Sequence, residues 1–184
     1  MAEVQLLADK IQQEWDFAIQ YGIAQKEVKD YIKSNLNPIF LDRPYQIEAV
    51  SKFDFYLNLS KNKPNGSPIH LLFNMATGSG KTVMMAANIL ELYTKGYRNF
   101  IFIVNSTNII RKTIANFTQK DDPKYLFAPK IIFDFKEIKI NEVENFETVP
   151  GEDINILFST IQGLHGKLDK PRESQITFES LAEN

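Results

Sequence analysis

The sequence predicts an α/β fold, a parallel sheet with helices on its faces, and two observations carry that prediction. From His70 onward, short apolar runs alternate with helical periodicity: His70 to Asn74, Lys81 to Lys95, FIFIV at 100–104, then Thr107 to Phe117. Strand, helix, strand, helix in succession implies parallel pairing, because each helix is the crossover that returns the chain to the same end of the sheet. Second, FIFIV has no polar alternation, as expected of a strand covered on both faces.

The elements follow in order. Leu7, Ile11, Trp15 and Ile19 recur four apart within residues 4–19, one stripe of an amphipathic helix, with Gly22 as its stop. A second short helix, Ala24 to Ser34, ends ahead of Pro38, since the residue before a proline is pushed out of helical geometry. A third has Asp42 as cap and Pro44 in its first turn, and Ile47, Val50, Phe53 or Asp54, and Leu57 trace its inner face. SKNKPNGSP, Ser60 to Pro68, is a loop. The strand His70 to Asn74 leads into a helix from Lys81 to Lys95 that is apolar on nearly all sides and closed by Gly96. After FIFIV, the helix Thr107 to Phe117 turns Ile109, Ile110, Thr113, Ile114 and Phe117 inward. Residues 130–146 read as extended segments with a turn, INILFSTIQGLHGKL as a strand and a short helix, and the tail from Asp169 is polar. Residues 1–37 are thus expected to form a helical segment ahead of an α/β domain over 38–184.

Composition narrows the function classes. A chain of 184 residues can bury about 70% of the surface its unfolded form exposes, enough for a true core. Hydrophobic residues at 43% and charged residues at 24% fit an ordinary globular protein. A net charge of −2 gives no general attraction to nucleic acid, so any bound strand must be held by local loops and helix ends. The chain has no cysteine and only two histidines, His70 and His165, which excludes disulfides and thiolate metal sites. No apolar run is long enough to span a membrane, and MAEVQLLADK lacks a secretion leader, so a cytoplasmic setting is expected.

The chemistry concentrates in MATGSGKT, residues 75–82. Gly78 and Gly80 allow a tight turn that brings successive N–H groups toward an anion. Lys81 supplies positive charge to the outer phosphates and Thr82 a hydroxyl to Mg²⁺. The following helix aims its positive dipole end at the same place. Met75 stands where the strict pattern has glycine. A glycine-rich turn that binds nothing is the alternative, and spacing, lysine, hydroxyl and context all argue against it. Upstream, Gln46 in DRPYQIEAV carries an amide able to read the N6 and N7 edge of adenine, with Tyr45 or Phe40 to cover the base; a solvated helix glutamine is the competing reading. Asn105, Ser106, Thr107 and Asn108 crowd a helix start, with Arg111 and Lys112 one turn on. They suit a nucleic-acid backbone, or simply a capped helix with a solvated basic face. Ser159, Thr160 and Gln162 close another strand in the same way, while His165 and Lys167 read as surface residues.

Taken together, RPYQIEAV, FNMATGSGKTVMMA, IFIVNSTNIIRKT and NILFSTIQGLHGKL resemble the first RecA-like half of a superfamily 2 helicase. Within it, they resemble most the Res subunit of Type III restriction–modification systems. The resemblance runs from about Pro38 to the end and is most specific at the phosphate loop. It implies a RecA-like P-loop sheet, with ATP and Mg²⁺ held by Thr77, Gly78, Ser79, Gly80, Lys81 and Thr82, and adenine by Gln46 with Arg43. It implies DNA-backbone contacts from Ser106, Thr107, Asn108 and Arg111, and a second strand-contacting or interdomain element at Thr160 and Gln162. The parent enzyme would couple ATP hydrolysis to DNA translocation and cleavage, with a methyltransferase (modification) subunit as partner. Such motors complete the Mg²⁺ site with an aspartate–glutamate pair (the DExH box), and no DE followed by a histidine occurs here. Neither does the second RecA-like half with its arginine finger, worth several powers of ten in rate. The family's spacing places the box just past Asn184, so the chain is expected to be a front fragment, weakly active or inactive alone.

Two other readings stand beside this one. A self-contained small P-loop nucleotide kinase or NTPase would need its own carboxylate at a strand end, and Asp134 in KIIFDF offers one, although FDFKEIKI keeps alternating beyond it. A non-hydrolysing nucleotide-binding module would bind through Lys81 without turnover.

Overall fold

The computed structural model describes residues 6–39, 43–61, 68–147 and 149–164. The expected cap Asp42, the aromatic Phe40, residues 62–67 of the expected loop, His165, Lys167 and the tail from Asp169 lie outside the described residues.

Helix α1 (Leu7–Gln20) ends where expected: Gly22 adopts a φ of 68° and its N–H reaches Ile19 O at 3.2 Å. Its buried residues are Trp15 and Ala18, and Trp15 meets Phe55 edge-on with ring centres 5.5 Å apart. Leu7, expected inward, is exposed, because α1 rests on its partner helix only along its second half. The second helix is shorter than periodicity suggests, a single turn α2 (Asp30–Lys33). Helix α3 (Pro44–Asn58) has proline in its first turn as expected. Its buried face is wider than the expected stripe, taking in Gln46, Ser51, Phe55 and Tyr56 beside Val50 and Phe53. α1 covers the Phe55 side while α4 (Lys81–Thr94) covers another, so α3 is enclosed from two directions.

The segment His70 to Asn74 is not a strand. Residues 68–76 have no regular structure and Leu72 is 91% exposed. A strand forms only when a neighbour takes its N–H and C=O groups, and none of the described strands lies alongside. Phe73 anchors it, packing edge-on to Phe53 with ring centres 5.7 Å apart.

Strands β1 (Asn99–Val104), β4 (Ile140–Glu142) and β5 (Ile154–Thr160) form a parallel sheet in the order β1-β5-β4. With helices packed against it, this is the α/β, RecA-like architecture expected. β1 is not covered on both faces: Ile101 and Ile103 are exposed while Phe100 and Phe102 pack on the core. Helix α5 (Thr107–Thr118) follows β1 and buries Thr113 and Phe117; Ile109, expected inward, faces out. Between α5 and β4, β2 (Ile131–Phe133) and β3 (Lys136–Ile138) make a separate hairpin.

Two asparagines lock this arrangement. Asn155, fully buried, donates to Asn99 Oδ1 at 3.1 Å and accepts from Asn141 Nδ2 at 3.1 Å, so one polar row crosses all three strands at Asn99↔Asn155↔Asn141. Slipping the register by one residue would strand these groups without partners. Asn35 ties α2 to the hairpin, donating to Ile132 O at 2.9 Å and accepting from Ile132 N at 2.7 Å. The core joins Ile32, Val50, Leu90, Phe117, Phe127 and Ile156. Among the described residues, no helix is long and apolar enough to cross a membrane.

Candidate functional site

The glycine loop sits at the head of α4. Gly80 is the residue before the helix, with φ 91° and ψ 32°, and Gly78 has φ 78°, conformations that side-chain-bearing residues rarely adopt. Ser79 holds the turn, its Oγ donating to Ala76 O at 2.7 Å. The Lys81 ammonium folds back over the loop, donating to Met75 O and Ala76 O, each at 2.9 Å. These two carbonyls are its partners, and a phosphate would compete for the same donors.

Helix α3 meets this loop with its first turn. Gln46 is only 2% exposed, and its Nε2 donates to Ser79 O at 2.9 Å. That carbonyl can accept only from a donor, which decides the orientation of the amide. The Gln46 Oε1 is buried with no hydrogen-bond partner. An unmet buried acceptor costs about 1–3 kcal/mol, so its natural complement is a donor brought by a ligand. Tyr45 donates its hydroxyl proton to Ser79 O at 2.9 Å, and Arg43 reaches Tyr45 Oη at 2.9 Å and Gly78 O at 3.5 Å. Three neighbouring side chains of α3 and its cap thus grip the carbonyls of residues 78 and 79.

Gly80 is required by its backbone angle, and its lack of a side chain also leaves room for the glutamine amide. A Cβ built there would lie 2.3 Å from Gln46 Nε2. The bare backbone at residue 80 is what lets the glutamine close on the loop.

Of the residues the sequence points to, Arg43, Gln46, Gly78, Gly80 and Thr82 line one cavity of about 320 Å³, within the range of small-ligand pockets. Sequence reasoning missed its far side, where Asn116, Lys124 and Leu126 stand. They are 34 or more positions beyond Thr82, in a stretch without a motif, and no local signal marks them.

The second group of candidates gathers at one end of the sheet. Val104 pairs with Thr160 in parallel register, so both strands finish together. This brings Ser106, Thr107 and Asn108 at the start of α5 to the same edge as Thr160 and Gln162. Ser106, the residue before α5, makes no side-chain hydrogen bond to the helix start, whose first N–H groups have no partner within the helix. Thr160 is committed locally, its Oγ1 accepting from Gly163 N at 2.9 Å. Arg111 and Gln162 are exposed.

Asp134 is not where a kinase carboxylate would be. It occupies the β2–β3 turn with φ 49°, so the strand does not continue through it as alternation suggests. It faces a different cavity, lined with Tyr31, Tyr93 and Arg98 and with no residue of the glycine loop.

Comparison with known proteins converges on the reading that this geometry favours. The model of the family described as "Type III restriction enzyme, res subunit" matches residues 39–181. The probable type III restriction-modification enzyme HindVIP Res subunit of Haemophilus influenzae is 41% identical over 157 residues, 83% of this chain and 30% of that relative. The chain therefore spans about 30% of the length of the curated relative it matches. No solved structure matches the chain. With the phosphate-type loop, the glutamine clamped to it and a family match over most of the chain, the protein belongs to the Type III restriction enzyme res subunit family.

Proposed function

We propose that this chain is the ATP-binding front part of a DNA translocase subunit that, in the whole enzyme, couples ATP hydrolysis to DNA movement and cleavage. The relative's printed name, a Res subunit of a restriction-modification enzyme, supports both a DNA substrate and a modification subunit as partner. A cytoplasmic setting follows from that role. The observation that carries the nucleotide reading is Gln46, buried beside the glycine loop with its Oε1 unmet. An adenine amino group is a donor of the kind that oxygen lacks.

The residues present fit an ATP·Mg²⁺ group. The N–H groups around Gly78 to Thr82 and the α4 dipole would hold phosphate, Lys81 would turn from Met75 O and Ala76 O to the outer phosphates, and Thr82 would offer its hydroxyl to the ion. Bound Mg²⁺ supplies charge neutralisation to the phosphate chain. Thr77 and Ser79 shape the loop, and Arg43 steadies it through Gly78 O. Ser106, Thr107, Asn108 and Arg111, with Thr160 and Gln162 at the same sheet edge, would track a DNA backbone without reading bases.

Calorimetric titration with ATP, ADP, GDP and AMP, in the wild type and in Lys81→Ala and Gln46→Ala, tests this. The expectation is Mg²⁺-dependent binding selective for adenine, weakened about tenfold or more in both variants, with no phosphate released. Selectivity indifferent to Gln46, or phosphate passed to a nucleoside monophosphate, would overturn it.

A further inference from the structure

The cavity has a second wall that no motif supplies. Asn116 lies in the last turn of α5, and Lys124 and Leu126 lie in the connection from α5 to β2. All three face Arg43, Gln46 and Thr82 across about 320 Å³. The wall is held in place from both sides. Leu126 N donates to Asn116 O at 2.9 Å, and Asn37 N donates to Leu126 O at 2.8 Å. Asn37 Nδ2 adds a bond to Tyr125 O at 3.0 Å. Asp122 Oδ1 accepts from the Lys124 backbone N–H at 2.7 Å, shaping the turn that presents the lysine.

Its chemistry is one-sided. Among the described residues, the charged side chains lining the cavity are Arg43 and Lys124, both cationic. Ile39, Val83 and Leu126 contribute apolar surface, and Gln46 Oε1 is the buried acceptor without a partner. A ligand complementary to this lining is an anion joined to a flat group with an exocyclic donor. We propose that Asn116 and Lys124 are nucleotide-binding residues: the Lys124 ammonium meets the phosphate chain from the side opposite the glycine loop, and the Asn116 amide engages the sugar hydroxyls. An amide carries a donor and an acceptor side by side, and so suits a vicinal diol. This assignment rests on the nucleotide reading of the cavity and adds to it the residues that close it.

The test is calorimetry on the full chain with Mg²⁺ and ATP, 2′-deoxy-ATP or adenosine, comparing Lys124→Ala, Lys124→Arg, Asn116→Ala and Lys81→Ala. Lys130→Ala, a lysine near Glu137 on the hairpin, is the control. Thermal melts of each variant check that the fold is kept. Lys124→Ala is expected to weaken ATP about tenfold, less so at high salt and hardly at all for adenosine, and Lys124→Arg to recover most of it. Asn116→Ala is expected to weaken ATP a few-fold and to remove the preference over 2′-deoxy-ATP. If the wild type binds ATP and loses it in Lys81→Ala, while Lys124→Ala and Asn116→Ala match Lys130→Ala, the second wall is refuted and the nucleotide reading stands. If the wild type binds no nucleotide, both are refuted.

Discussion

Two cavities of this molecule differ in what their walls leave unmet. The larger, about 580 Å³, lies between α2, α4 and the β2–β3 hairpin, and several of the polar groups that line it pair with one another. Lys136 pairs with Glu152 at 2.8 Å, Arg98 lies 3.8 Å over the Tyr93 ring and donates to Tyr93 O, and the Tyr93 hydroxyl donates to Glu152 O. The Tyr31 hydroxyl donates to the buried carboxylate of Glu91. The smaller, about 320 Å³, is cationic, floored by glycines, and holds an acceptor with nothing to accept. Volume alone would favour the larger, while the proposed nucleotide site is the smaller. Unsatisfied groups beside bare backbone separate a place built for a ligand from a gap between packed elements.

The largest expected effect that would break this contrast is at Gly80. Gly80→Ala combines a positive φ with a Cβ 2.3 Å from Gln46 Nε2, and should weaken ATP by about a hundredfold or more. Unchanged binding would mean that the glutamine contact does not shape the smaller cavity. Asp134→Ala, in the larger cavity, should leave ATP binding unaltered in the same titration.

Next comes Tyr31→Phe, which removes the donor from buried Glu91 and should cost about 1–3 kcal/mol of stability by urea unfolding without altering nucleotide affinity. The same pair sets an alkaline limit. Burial first, and then the Glu91 hydrogen bond and charge, hold the Tyr31 proton well above the usual value of 10.0. Burial raises Tyr93 and Tyr125 likewise. A raised tyrosine contributes stability that is complete below the unfolded value and is lost as pH climbs through the folded one. Melting temperature should therefore fall from about pH 10 upward, with a shallower fall in Tyr31→Phe. An equal slope in both proteins would remove Tyr31 from this account.

The smallest effect sharpens the picture of the hairpin. Asp134 and Phe135 both have positive φ, 49° and 64°, in a two-residue turn that ordinarily favours Asn-Gly, and Phe135 is fully exposed. Phe135→Gly should relieve backbone strain and raise stability by about 0.5 kcal/mol, read as a small rise in melting temperature. A loss of stability instead would show that the ring packs on something when the turn forms.

Much of this was legible beforehand, for identifiable reasons. α4 and α5 announce themselves by apolar spacing, Gly22 and Gly96 end their helices at positive φ, and the hairpin follows from extended segments with a turn. Where periodicity misled, a second neighbour was the cause. α3 is enclosed by two helices, so a single stripe could not describe its buried face. His70 to Asn74 has strand composition, yet pairing is a relation between segments, and no described strand stands beside it. The same holds for Ile101 and Ile103, apolar by sequence and exposed by circumstance.

By itself the sequence determined where the glycine loop lies and the nucleotide chemistry proposed for it, because glycines, lysine and hydroxyl at that spacing act through their own backbone and the helix that follows. It determined the fold class too, because alternation of periods is a local property. Only the tertiary structure decided that Gln46 closes on Gly80, that Val104 and Thr160 end side by side, and that Asn116 and Lys124 face the loop. Those are contacts between segments 34 to 56 residues apart in the chain, set by how helices pack on a sheet, and no local pattern encodes them.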